Sequence, residues 1–204
     1  MTVEQLLIAT RSGGKLRELR ALFDRAGLSI VDLEKAGFPP TPIEDELESG
    51  DTFEANALAK ARHFAKLAAR PVVADDSGLE VLALGGRPGV HSKRWSNRLD
   101  LSGRELDEAN NKLLMAELER VRDRRARYVC VASFADGTTD LIARGMTEGV
   151  ILDRPRGSGG FGYDPYFFSE DLGKTFAEAT VIEKESVSHR GRAFRALIAE
   201  LVRR

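Results

Sequence analysis

The sequence predicts an α/β fold, a mixed β-sheet with helices packed on it. Three observations carry this. Apolar runs alternate with stretches of helical period in the first half, while strand pairs around a hairpin turn dominate later. The chain of 204 residues is 42% hydrophobic and 31% charged, enough for a sizeable core and without low-complexity tracts. No repeat and no linker interrupts it, so residues 1–204 read as a single domain.

Taken in order, Leu6, Leu7, Ile8 and Ala9 form a buried strand that ends in the loop TRSGGK. A helix follows with Leu16, Leu19, Leu22, Phe23 and Ala26 on one face, stopped by Gly27. Residues 28–33 are a second strand, and 36–50, with three prolines and a run of carboxylates, an irregular acidic loop. Asp51 with Glu54 reads as a capping box for a helix to about Arg70, whose inward face is Phe53, Ala57, Ala61, Phe64 and Ala68. PVVADDSG (71–78) is a strand entering a turn, and LEVLAL (79–84) a separate extended segment. Ser102 with Glu105 opens a third helix to about Arg120. Residues 127–145 form a hairpin around Asp136-Gly137, and MTEGVIL continues as strand. The glycine-rich RGSGGFGYDPYFF leads into a short strand. Phe194, Leu197, Ile198, Leu201 and Val202 make a C-terminal amphipathic helix.

Charge and cysteine content exclude several functions. Thirty-one Lys and Arg against 32 Asp and Glu leave a formal −1, so no global basic field favours nucleic acid. The most basic stretch, RVRDRRAR (120–127), contains Asp123, lacks interleaved aromatics and reads as a solvated helix end. The single cysteine, Cys130, lies in the apolar run YVCVASF and reads as a buried structural thiol. No CxxC pair offers a zinc site. The N-terminus has neither a basic n-region nor a long apolar core, and no run approaches a membrane span, so a cytoplasmic protein without membrane partners is expected.

Four segments carry candidate chemistry. TRSGGK places small residues and Lys15 at a strand-to-helix junction, where backbone N–H groups and the helix dipole attract an anion. A plain glycine turn with a solvated lysine has the same letters. Glu44, Asp45, Glu46 and Glu48 precede Asp75-Asp76, adjacent carboxylates that are costly to crowd without a cation. Oxygen donors without His or Cys suit Mg²⁺, although solvated carboxylates in an Asx turn are the plainer alternative. GSGGFGYDP offers an aromatic ring beside a flexible backbone, for stacking on a base or for packing a tight hairpin. In EKESVSHRG, Ser188 resembles an N-cap that puts His189 and Arg190 in a first helical turn, where cations make sense against a bound anion.

The order of these segments resembles the inosine triphosphate pyrophosphatase family over almost the whole chain. TRSGGKLREL, ESGDTFEANALAKA, VADDSGLEVLALGGRPGVHSKRW, GSGGFGYDPYF and EKESVSHRG carry the resemblance. It implies a long, curved mixed sheet flanked by helices in two lobes with a central cleft, a homodimer, and Mg²⁺-dependent hydrolysis of ITP, dITP and XTP to a nucleoside monophosphate and pyrophosphate. By the same resemblance Thr10, Arg11, Ser12, Gly13, Gly14 and Lys15 hold phosphates. Glu48 and Asp76, with Asp75, hold metal, and Asp76 acts as general base. Ser77 and Arg94 contact substrate, while Phe161, Gly162, Tyr163, Asp164, Lys184, His189 and Arg190 bind and position the nucleotide. One departure falls in the first motif: the family's Thr-Gly-Asn is Thr10-Arg11-Ser12, with a charge expected near the phosphates. Arg87, His91 and Lys93 also differ from the family pattern.

Overall fold

The structure is a computed structural model that describes residues 5–203. Its seven strands form one mixed sheet in the order β2-β1-β3-β4-β5-β6-β7, flanked by helices. The strands are β1 (Leu6–Ala9), β2 (Ile30–Asp32), β3 (Val72–Val81), β4 (Arg125–Ala135), β5 (Asp140–Ile151), β6 (Phe167–Ser169) and β7 (Lys174–Thr175). β1 runs parallel to β2 and β3, whereas β5-β6 and β6-β7 are antiparallel. The helices are α1 (Gly13–Arg25), α2 (Ile43–Glu46), α3 (Phe53–Ala68), α4 (Gly103–Glu117), α5 (Val181–Val187) and α6 (His189–Val202).

The chain resolves into two compact units and passes back and forth between them. The first comprises residues up to Asp76, Cys130–Gly145, and Arg190 onward. Its β1, β3 and β4 segments are buried on both faces, whereas β5 alternates buried and exposed residues. Val73, Cys130 and Ala132 pack with Leu19 and Phe23 of α1 and Phe194 and Leu197 of α6. Val72 and Ala74 pack with Ala61 and Phe64 of α3. The second unit comprises Ser77–Val129 and Met146–His189. Its core joins Leu79 and Val81 to Leu114 and Leu118 from the α4 region and to the aromatic set Tyr128, Tyr163, Phe167 and Phe176. Burying each such aromatic contributes roughly 1.5–3 kcal/mol against leaving it exposed.

Several expectations shift. The helix after Thr10 starts three residues before Leu16, because Ser12 Oγ caps it by accepting from Lys15 N at 3.3 Å. The proline loop contains the short helix α2. The cap of α3 is Thr52, not Asp51: Thr52 Oγ1 accepts from Ala55 N at 3.1 Å, so Glu54 stands one place too early for a box. Ser102 occupies its cap position without a side-chain bond. ADDSG does not turn. β3 runs straight through it, because Leu79 and Val81 beyond are fully buried and keep the period of two. Only Leu82–Leu84, expected as strand, coils into a 3₁₀ turn. The hairpin at Asp136-Gly137 forms as expected, with Asp136 Oδ1 accepting from Thr138 N and Thr139 N. In α6, Phe194, Leu197 and Ile198 are buried, but Val202 is 66% exposed.

Candidate active site

In a strand, successive side chains leave opposite faces, so β3 sends Asp75 and Asp76 apart. Asp76 follows Val72 and Ala74 toward α3, where Asn56 Nδ2 donates to its Oδ2 at 2.9 Å. One turn along α3, the buried Lys60 Nζ donates to Glu48 Oε1 at 2.7 Å and to the Asp75 carbonyl at 2.6 Å. Burial pushes the Asp76 carboxyl above its ordinary value, with the Glu48 charge adding to the rise, although Lys60, Lys15 and Asn56 pull it down. Lys60 is held above its ordinary value in spite of burial, because Glu48, Asp76 and Asp75 surround it. Glu48, Asp76 and Lys60 therefore form one charged group against α3.

Asp75 follows Val73 toward α1 and α6 and meets cations instead. Its Oδ2 lies 3.0 Å from Lys15 Nζ, 3.4 Å from Arg190 Nε and 3.8 Å from the Cys130 thiol, which donates to it. Arg190 is buried and spans to Glu18, its second carboxylate, at 2.5 Å. Burial alone would lower the Arg190 pKa, but Glu18 and Asp75 outweigh it and raise the value. The anion that explains a cation in the first turn of α6 is thus supplied by the protein. Cys130 is buried, as expected.

The TRSGGK loop starts α1 with no acidic side chain in the first turn. Thr10 Oγ1 accepts from Ser12 N at 3.2 Å, and Gly13 and Gly14 are the first helical residues. Free helical N–H groups and the Lys15 ammonium make this end attractive to phosphate oxygens. Arg11 does not join them. Its guanidinium donates to both oxygens of Glu44, at 3.0 and 2.7 Å, and to the Phe38 carbonyl at 2.8 Å.

The second unit builds a separate polar cluster. Lys184 and Asp164, both buried, pair at 2.6 Å, and the same Asp164 oxygen accepts from Phe161 N at 2.8 Å. Lys184 Nζ lies 4.9 Å from the Phe161 ring centre and 5.3 Å from that of Phe176. Gly162 is clamped on both sides, its N donating to Asp107 at 2.8 Å and its carbonyl accepting from Asn111 at 2.9 Å. Burial, with Asp164 nearby, raises the Asp107 carboxyl in spite of that bond. The Tyr163 hydroxyl donates to the Ser92 carbonyl at 2.8 Å, and burial raises its pKa. Gly160 sits at φ +72, where a Cβ would collide with the Asp164 carboxylate. His189 stacks on Tyr128, with ring centres 4.6 Å apart and planes 8° apart. Ser77 lies half-buried in β3, and Arg94 half-buried at the end of the 3₁₀ turn Gly89–Arg94.

Sequence reasoning missed Asn56, Lys60, Glu18, Asp107 and Asn111. A signal existed for the first two: Asn56 and Lys60 stand four apart beside the small-residue stripe Ala57-Ala61, where a polar residue must find a partner on the facing strand. Glu18 carried no such mark.

The donor set suits a hard divalent cation. Among the described residues no three His, Cys, Asp or Glu side chains gather as a metal site. Glu48 and Asp76 offer the one or two carboxylates that Mg²⁺ takes when water and phosphate oxygens complete its shell. The raised Asp76 pKa is the penalty such a cation would relieve. Asp75 fits less well, since its carboxylate faces Lys15 and Arg190.

Among the described residues, no helix is long and apolar enough to cross a membrane. A dITP/XTP pyrophosphatase of Burkholderia pseudomallei is 47% identical over 97% of this chain and 93% of that protein. One from Mycobacterium tuberculosis strain H37Rv is 46% identical over 98% and 96%. Two solved structures share the fold. The Ham1 protein of Staphylococcus aureus has a TM-score of 0.80 at 35% identity, covering 97% of this chain and 98% of its own. A HAM1 protein from Coxiella burnetii has a TM-score of 0.83 at 33% identity, covering 98% and 99%. The Ham1 family model matches residues 6–200, and the chain belongs to the Ham1 family.

Proposed function

We propose that this protein hydrolyses non-standard purine nucleoside triphosphates (ITP, dITP and XTP) to the monophosphate and pyrophosphate, keeping them out of DNA and RNA. The observation that carries the reading is Asp76: a buried carboxylate with a raised pKa, oriented by Asn56 and flanked by the charges of Lys15, Lys60 and Glu48. Kinship to the dITP/XTP pyrophosphatases supports the substrate class.

In this reading the N-terminus of α1, with Thr10, Ser12, Gly13, Gly14 and Lys15, binds phosphate oxygens and offsets their charge. Asp76 accepts the proton of the attacking water, and Asn56, donating to its Oδ2 at 2.9 Å, fixes the orientation in which it does so. Glu48 and Asp76 would hold Mg²⁺, which supplies Lewis acidity at the phosphates and an acidified water. Lys60 keeps Glu48 in place and partly neutralises the carboxylates. Asp75 orients Lys15 and Arg190. Phe161 offers a ring face to the purine, while Asp164 and Lys184 fix the loop that carries it. Gly162, Tyr163 and His189, with Ser77 and Arg94, complete the proposed nucleotide contacts, while Arg190, held by Glu18 and Asp75, positions them without touching the nucleotide.

An acceptor at purine position 6 in place of an amino donor is the chemical difference the protein would read, and an unmatched donor discriminates more strongly than lost apolar contact. The resemblance further supports residues 1–204 acting as one domain in a homodimer, and the substrate class supports a cytoplasmic location. Sedimentation analysis checks the dimer. Hydrolysis of ITP with Mg²⁺ in ¹⁸O-water tests the reaction. Label in the products without free orthophosphate supports cleavage between the α and β phosphates. Orthophosphate as the first product, or a rate unchanged by a chelator, overturns it.

A further inference from the structure

Arg11 stands where the resembled family carries glycine, and all three of its guanidinium nitrogens are committed to the acidic loop. Nε and one terminal nitrogen form a fork on Glu44, at 3.0 and 2.7 Å, and the other terminal nitrogen donates to the Phe38 carbonyl at 2.8 Å. Planar bidentate pairing of this kind fixes orientation as well as charge. The Glu44 Oε1 that accepts from Arg11 also accepts from Thr41 N at 3.2 Å. Burial works to raise the Glu44 carboxyl, but the Arg11 bond and the Thr41 amide bring it below its ordinary value. The pair is only partly shielded, with side chains 26% and 20% exposed.

What the fork holds is the arm that carries Glu48. Residues 39–43 are exposed, and the loop has three prolines with few buried side chains. Its far end is tied to α3, where Lys60 holds Glu48 at 2.7 Å and Gly50 N donates to Asn56 at 2.8 Å, but before Glu44 its packing is modest: Phe38 meets Phe64 edge-on at 6.3 Å. Glu44 and Glu48 lie four apart along a helical stretch, α2 with Leu47 N bonded to the Ile43 carbonyl and Glu48 N to the Asp45 carbonyl. Fixing Glu44 therefore fixes the start of the turn that projects Glu48 toward Lys60.

We propose that Arg11 is a positioning residue: through its fork on Glu44 and its bond to the Phe38 carbonyl it clamps the acidic loop to the start of α1, so that Glu48 is pre-set for a divalent cation. The proposal rests on the reading of Glu48 as a metal ligand. It replaces the expectation that the Arg11 charge serves the phosphates directly.

The test compares Arg11→Ala, Arg11→Lys, Glu44→Ala and the Arg11→Ala/Glu44→Ala double variant with the wild type. Two readouts are taken: the Mg²⁺ concentration giving half-maximal ITP hydrolysis, and amide hydrogen exchange over residues 36–50 without metal or nucleotide. For a partly shielded fork, Arg11→Ala and Glu44→Ala each raise half-saturating Mg²⁺ roughly three- to tenfold. The double variant goes no further than either single one, because one interaction is lost once. Arg11→Lys falls between, since an ammonium cannot reproduce the fork. Exchange over 36–50 rises in each, while the KM for ITP at saturating Mg²⁺ moves less than the Mg²⁺ requirement.

A phosphate-binding Arg11 would give the opposite split: a raised KM for ITP in Arg11→Ala and wild-type behaviour in Glu44→Ala. That result overturns the clamp, as does unchanged exchange over 36–50 in all variants. An Mg²⁺-independent wild type removes the reading of Glu48 itself. An Mg²⁺ requirement that the variants leave untouched removes only the clamp.

Discussion

Replacing Lys60 by Met is the sharpest test of the group around Asp76. The substitution keeps an unbranched side chain of similar length but deletes the ammonium. Two hydrogen bonds vanish, at 2.7 Å to Glu48 and 2.6 Å to the Asp75 carbonyl, and the second acceptor lies in a fully buried stretch. Glu48 and Asp76 then face each other without the cation between their charges. Removing one partner of a buried ion pair typically costs about 3–5 kcal/mol. The Glu48 side chain is 26% exposed and can recover some hydration, which places this case at the lower end, about 3 kcal/mol. For a chain of this size that lowers Tm by roughly 6–12 °C. Thermal unfolding followed by circular dichroism, with and without Mg²⁺, reads the effect. Mg²⁺ should restore more stability to Lys60→Met than it adds to the wild type, since the variant lacks its resident cation. A loss under about 1 kcal/mol, the range of a surface pair, would refute the claim that Lys60 holds the carboxylates together.

Further outcomes follow from single positions. Asp76→Asn should lower kcat sharply and raise Tm at pH 7–8, because the raised pKa means the folded state disfavours the charged carboxylate. Below the ordinary aspartate value the wild type is protonated in both states and the difference vanishes; a variant less stable than wild type at pH 8 would contradict the sign. Gly160→Ala places a methyl on the Asp164 carboxylate at a positive φ, so the Phe161 loop must shift. The KM for ITP should rise at least several-fold, and wild-type kinetics would remove that loop from nucleotide binding. Ala69 ends α3 at φ 48, a left-handed conformation that suits glycine better. Ala69→Gly should stabilise by about 0.5–1 kcal/mol, visible as a small rise in urea midpoint with unchanged activity.

Much of the fold was legible because its signals are local. The stripe Leu19-Leu22-Phe23, the run Val129–Ala135 and the turn Asp136-Gly137 each state their own element through period or turn chemistry. Boundaries were less legible. Asp51 and Thr52 are both acceptable caps in isolation, and the choice of Thr52, with Phe53 buried just after it, belongs to the folded chain. DDSG has the composition of a turn, yet the buried Leu79 and Val81 beyond it keep the backbone extended. Similarly, the motif order marked Lys15, Asp76, Phe161 and Lys184, but not the residues that orient them.

The sequence alone determined the α/β class, the balance of charge that leaves anion binding to local clusters, and the candidate residues for phosphate and metal. Tertiary structure decided how those charges are shared. Asp75 and Asp76 are neighbours in the chain, but the pleat of β3 sends one to Lys15 and Arg190 and the other to Asn56. Arg11, adjacent to the helix end proposed to bind phosphate, turns instead to Glu44 in the acidic loop. Spacing along a chain fixes which groups are available. Which charge neutralises which depends on faces and distances that exist only once strands and helices have packed.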